Sequence, residues 1–199
     1  MSVDPSGAPR RRLVSFASAI DRLLGGLERA SLVLSCIGLF SIMVLIFLDG
    51  SLRYLFNSPL VFSADVVNLY LISASFLLVL AYTLRNGGHI SVDILAHAMR
   101  PRTQHFVLGF ALVLASPVVA VMAYEMTSLA ADAWKRGEVI VGIYAMPLWP
   151  SKAIVALGMI LLGMRMLHLG FFNVLSAVTD DPALAFPILP KPEHAEEMV

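Results

Sequence analysis

Five histidines, His89, His97, His105, His168 and His194, and one cysteine, Cys36, are the side chains of this 199-residue chain best suited to hold a metal or a haem. Their placement argues against both. A haem inside a helix bundle needs histidines facing one another at mid-depth, and each of these five falls at the edge of an apolar run or outside one. His105 and His168 sit at run ends, where an interfacial role is the plain reading. Cys36 has no partner for an intrachain disulfide and reads as a small packing residue. No zinc-type Cys/His spacing, phosphate-cradling glycine loop or nucleophile signature occurs. The reading is of a protein that is not an enzyme and takes no cofactor.

The charged and amide side chains between Asp49 and Asp93 carry more information. Arg53 follows one apolar run and Asp65 opens the next, so a pair across the short Asn57-Ser58-Pro59 turn would fix two helices together. Asp49 closes the first run as a possible cap. Asn68, one turn into the second run, is costly to expose to hydrocarbon and is expected to face protein. The run leaves through Arg85-Asn86-Gly87-Gly88-His89-Ile90-Ser91-Val92-Asp93. There Gly87-Gly88 lets the chain turn, Arg85 suits anionic lipid or helix C-terminal carbonyls, and Asp93 can bridge back to Arg85 or His89.

The elements that must position these groups are membrane helices. Hydrophobic residues make up 58% of the chain and charged ones 14%, and mean hydropathy is +0.81. A soluble domain is nearer half apolar and a quarter charged. Four runs reach the roughly 20 residues needed to cross lipid, at about 30–48, 66–84, 106–124 and 151–172. The third contains Ser116-Pro117, a predicted kink. In the fourth, Pro147 and Pro150 suit a helix start, and Arg165 is expected to snorkel to the nearer surface. The fold class is thus an all-α integral membrane protein, with four transmembrane helices and short amphipathic interfacial helices.

Three further segments complete the organisation. Residues 1–29 form an N-terminus in which Leu13, Phe16, Ile20, Leu23, Leu24 and Leu27 recur at helical spacing. A helix in the headgroup region and a plain extension of the first span fit equally well. A second amphipathic pattern, Ile90 to Met99, predicts a surface helix ended by Pro101. Residues 173–199, with Pro182, Pro187, Pro190 and Pro192, are expected to be a disordered tail. Ten basic residues fall on the side of the termini and four, Arg53, Lys135, Arg136 and Lys152, on the other. The positive-inside rule then puts both termini in the cytoplasm, with Trp134, Tyr144 and Trp149 near the outer interface. Zero formal net charge gives no footing for nucleic acid, and no internal repeat marks a self-contained transporter.

In combination, Arg53-Tyr54-Leu55-Phe56-Asn57-Ser58-Pro59 and Ala81-Tyr82-Thr83-Leu84-Arg85-Asn86-Gly87-Gly88-His89-Ile90-Ser91-Val92-Asp93 resemble the small permease subunit of TRAP transporters. These are the tripartite ATP-independent periplasmic transporters, and the small subunit is the DctQ-like component. The four-span plan and the entry Pro147-Leu148-Trp149-Pro150 are similar too, so the resemblance runs from about Arg29 to Phe172. The family often has paired glutamates where this chain has Ala64-Asp65, which leaves one acidic group there.

The resemblance implies a multi-pass protein of the bacterial inner membrane that scaffolds transport. In such systems the large permease subunit carries the substrate and sodium sites and moves substrate by an elevator-like motion. A soluble periplasmic binding protein delivers the substrate, usually an organic acid. The small subunit packs beside the large one in the lipid bilayer. Contacts with the large subunit or the binding protein are expected at Arg53, Asn57, Asp65, Asn68, Trp134 and Trp149, and a cytoplasmic interface at Arg85, His89 and Asp93. Two other classes are a membrane anchor of a respiratory oxidoreductase, which requires haem, and a self-sufficient small transporter, which requires ionisable groups within the membrane.

Overall fold

The computed structural model describes residues 7–86, 101–141 and 144–179. Four helices in it are long and apolar enough to cross a membrane. Helix α1, Gly7–Phe56, is 50 residues long and unbroken. The second, α2, is the span Ser63–Arg85. It is α-helical over Ser63–Val66, Ile72–Leu77 and Leu80–Arg85, with a π-helical turn at Val67–Leu71. Helix α3 covers Pro101–Arg136 and α4 covers Trp149–Thr179. Between α3 and α4 a two-residue strand β1, Val139–Ile140, pairs antiparallel with β2, Met146–Pro147.

Local chemistry explains where these helices begin and end. Asn57 adopts the left-handed conformation (φ 54°) just past α1, an ending that asparagine tolerates better than most residues. Gly137 does the same after α3 (φ 61°), with Glu138 N–H donating to Ala133 O and Gly137 N–H to Trp134 O. Those two bonds form a Schellman ending, and the glycine there has no Cβ to strain. Pro150 sits in the first turn of α4, where its missing N–H costs nothing. Pro117 lies inside α3 and cannot donate to Val113 O. The Ser116 hydroxyl donates to that carbonyl instead, at 2.8 Å, so the helix continues.

Several boundaries differ from the sequence expectation. Helix α1 has no break near residue 29, so its amphipathic N-terminal part extends the first span. α4 runs to Thr179, seven residues beyond the expected edge at 172. The expected surface helix over 90–99 and the tail from 180 lie outside the described residues.

The contacts cluster in two compact units, one drawn from residues 1–25, 82–116 and 164–199 and the other from 26–81 and 117–163. In the first, Ala17 and Phe172 are buried together, with Val14 and Leu175 against them. α3 and α4 approach closely there, since a Cβ on Gly109 would lie 3.0 Å from Gly170 O. In the second, Ser35 Oγ donates to Ser75 O, and Gly38 lies against Ser75. Gly158 lies against the Leu77 backbone.

Burial along α1 reverses the usual soluble pattern. Phe16 is 62% exposed, Leu23 73% and Leu27 53%, whereas Ala17 and Glu28 are almost wholly buried. Apolar side chains lose nothing by facing hydrocarbon, so small and polar residues can share the packed face with Leu24, which is also buried. Cys36 also faces outward, contrary to its expected packing role.

Candidate functional site

In the first unit three helices converge on one carboxylate. Asp21 of α1 accepts from Arg165 Nη1 of α4 at 2.6 Å and from Arg85 Nη2 of α2 at 3.3 Å. The Arg165 side chain is completely buried, and those of Asp21 and Arg85 are about a quarter exposed. The close approach of Arg85 is made possible by Gly25, one turn along α1 from Asp21. A Cβ there would fall 2.1 Å from Arg85 Nη1. Arg165 therefore does not snorkel. At 1.5 Å per residue it lies roughly 24 Å along α4 from Trp149, where an internal carboxylate is a better partner than lipid. Likewise Arg85 turns to Asp21.

Two histidines complete this unit. His168 is buried, and its Nε2 donates to Ala17 O at 3.2 Å. Asn173 donates through Nδ2 to Leu169 O, leaving Oδ1 to accept from His105 Nδ1 at 2.8 Å. Both histidines thus join helices instead of facing an interface. The signal for this cluster was present in the sequence as a face, Asp21 and Gly25 on one helix and Arg165, His168 and Phe172 on another. What periodicity could not supply was which face meets which.

The second unit places the remaining candidates. Arg53 pairs with Asp49 of its own helix at 3.0 Å and not with Asp65. A four-residue spacing on α1 brings those two together. The other Asp49 oxygen accepts the Leu60 N–H at 2.7 Å, so Asp49 braces the turn between α1 and α2. Asn57 acts there through its backbone conformation. Asp65 is half-buried. Asn68 is exposed, and among the described residues nothing covers it.

Trp134 and Trp149 do come together, edge to face with ring centroids 4.6 Å apart, at the base of the β1–β2 turn. Three further ties order this connection. Tyr70 donates its hydroxyl to Pro147 O at 2.6 Å. Lys152 Nζ meets Glu138 at 3.0 Å, with Arg136 at 3.6 Å from the same carboxylate. Phe62 and Tyr144 stack edge to face at 6.4 Å. His89 and Asp93 lie outside the described residues. Among the described residues no three His, Cys, Asp or Glu side chains gather as metal ligands.

Four apolar spanning helices, held by polar contacts at their ends, define a multi-pass membrane protein. The family model of tripartite ATP-independent periplasmic transporters, DctQ component, matches residues 42–175. The chain belongs to this family, and is a small membrane subunit of a TRAP transporter in the inner membrane. No curated protein and no solved structure matches it. The matched stretch includes Arg85 and Arg165 but not Asp21, so the carboxylate that holds both is contributed by the N-terminal part of α1 outside it.

Proposed function

We propose that this subunit is a scaffold. It packs beside the large permease subunit and braces it during sodium-coupled uptake of an organic acid delivered by a periplasmic binding protein. The observation that carries this reading is the distribution of charge. Residues 30–48, 66–84 and 106–124 contain no Asp, Glu, Lys or Arg, and Arg165 of α4 is engaged by Asp21. An ion path through the chain itself would need such groups lining it; a brace needs them only where helices are tied together.

Both termini lie in the cytoplasm in this reading. Removing Arg165 from the count of surface charges still leaves the basic residues strongly on the side of the termini. The α1–α2 turn and the β1–β2 connection then face the periplasm. There Arg53, Asn57 and the Trp134–Trp149 pair form the face offered to the binding protein.

Gentle solubilisation with a tag on this chain tests the scaffold. A large multi-span partner is expected at one-to-one stoichiometry, and a lone chain or one carrying haem overturns the reading. The periplasmic contact is tested separately by charge reversal, Arg53→Glu with Lys135→Glu. Uptake should fall while the two membrane subunits still co-purify, and unchanged uptake counts against that contact.

A further inference from the structure

Helix α2 presents a narrow exposed stripe, Ala64, Asn68, Ile72 and Phe76, while Val67, Ala74, Leu78 and Ala81 between and beyond them are buried. A strict four-residue repeat drifts around a helix of 3.6 residues per turn. The wider π turn at Val67–Leu71 takes back part of that drift and keeps Asn68 in line with Ile72 and Phe76. Within 30–48, 106–124 and 151–172 the exposed positions are apolar apart from Cys36 and Tyr124, for example Phe40 and Phe47 on α1, Leu114 and Val118 on α3, and Leu157 on α4. Those need nothing but lipid.

Asn68 is different. Its amide has two donors and an acceptor, it lies inside the apolar span, and it is too short to snorkel as Lys or Arg would. Hydrocarbon offers it no hydrogen bond, so a surface carrying it is built to meet protein.

We infer that the stripe Ala64–Asn68–Ile72–Phe76 is the docking face for a membrane helix of the large permease subunit, with the Asn68 amide hydrogen-bonded to a polar group on that helix. The inference rests on the scaffold reading above and specifies its contact. The occupant is a different subunit because the family is one component of a multi-component transporter. The shape fits a helix: Ala64 leaves room for close approach at one end, and Phe76, 63% exposed, provides a knob at the other.

The test uses the assembled transporter in membranes, with a photo-crosslinking residue in place of Ile72 and, separately, Asn68→Leu in the tagged chain. The expected results are a crosslink to the large subunit and a loss of co-purified large subunit of roughly three- to tenfold for Asn68→Leu. The same crosslinker in place of Val118 on α3 should not give that product. Helicity and monodispersity of the Asn68→Leu chain purified alone should match the unaltered chain. A crosslink to a second copy, a crosslink to lipid only, unchanged retention, or loss of fold in the lone variant each overturns the inference. If the unaltered chain retains no large subunit at all, the scaffold reading itself fails, an outcome distinct from those four.

Discussion

Arg165 Nη1 stands 2.6 Å from Asp21 Oδ1 with the arginine wholly buried, joining two helices whose contacting residues are 144 positions apart. A buried guanidinium that loses a carboxylate loses part of its charge compensation, a change that costs about 3–5 kcal/mol in fully enclosed pairs and less where one partner is partly wetted. Asp21 retains some exposure. Asp21→Asn should therefore lower stability by about 2–3 kcal/mol, read as a drop in the thermal midpoint in detergent. Replacing both partners, Asp21→Leu with Arg165→Met, should recover much of the loss. An Asp21→Asn chain as stable as the parent would show that the pair holds nothing together.

The neighbouring glycines predict effects of opposite sign. A Cβ on Gly25 collides with the Arg85 guanidinium at 2.1 Å, whereas one on Gly26 meets nothing within 4 Å. Both residues lie inside α1, where alanine is favoured over glycine by about 0.5–1 kcal/mol. Gly26→Ala should raise the thermal midpoint. Gly25→Ala must push Arg85 off Asp21 and should lower it. Equal effects would mean that Arg85 does not depend on the gap.

The four spans were legible in the sequence because hydrocarbon thickness imposes a length and a composition that few other constraints mimic. The helix start at Pro150 was legible too, from backbone chemistry. The ion cluster was not. Arg165 and Arg85 each had a satisfactory solitary explanation, snorkelling for one and lipid headgroups for the other. Only the packing of α1, α2 and α4 in one unit reveals Asp21 as their common partner. Arg53 misled for the opposite reason, since Asp65 was a plausible partner across a turn while Asp49 was already four residues away on the same helix. Along the N-terminal part of α1 the amphipathic pattern was read correctly as helix. Phe16, Leu23 and Leu27 of its apolar stripe nevertheless face outward while Leu24 is buried, because in a membrane small and polar groups share the choice of packed face.

The α1–α2 turn separates two roles for one carboxylate. Asp49 accepts both from Arg53 at 3.0 Å and from the Leu60 N–H at 2.7 Å. Arg53 is 62% exposed, so losing it removes a solvated four-residue pair contributing about 0.3–0.5 kcal/mol. Losing Asp49 leaves a part-buried backbone donor unsatisfied, at about 1–3 kcal/mol. Asp49→Ala should thus destabilise clearly more than Arg53→Ala in the same melting assay. Equal losses would assign the stabilisation to the ion pair and not to the turn.

Close helix approach gives the last contrast, on α4. A Cβ added to Gly158 would sit 2.7 Å from Leu77 O and 2.9 Å from Leu77 C, which are backbone atoms of α2 that cannot rotate away. A Cβ on Gly163 would meet only the flexible Val119 side chain, at an ordinary 3.5 Å. Helix propensity favours alanine at both positions by about the same amount, so the sign of each effect reports the space around it. Gly158→Ala has to drive the two helices apart, and overpacking of that kind costs about 1–3 kcal/mol. Gly163→Ala should be neutral or mildly stabilising. The readout is thermal unfolding followed by the fluorescence of Trp134 and Trp149, which report the same unit. A Gly158→Ala chain with an unchanged midpoint would mean that α2 and α4 do not pack backbone to side chain at this point.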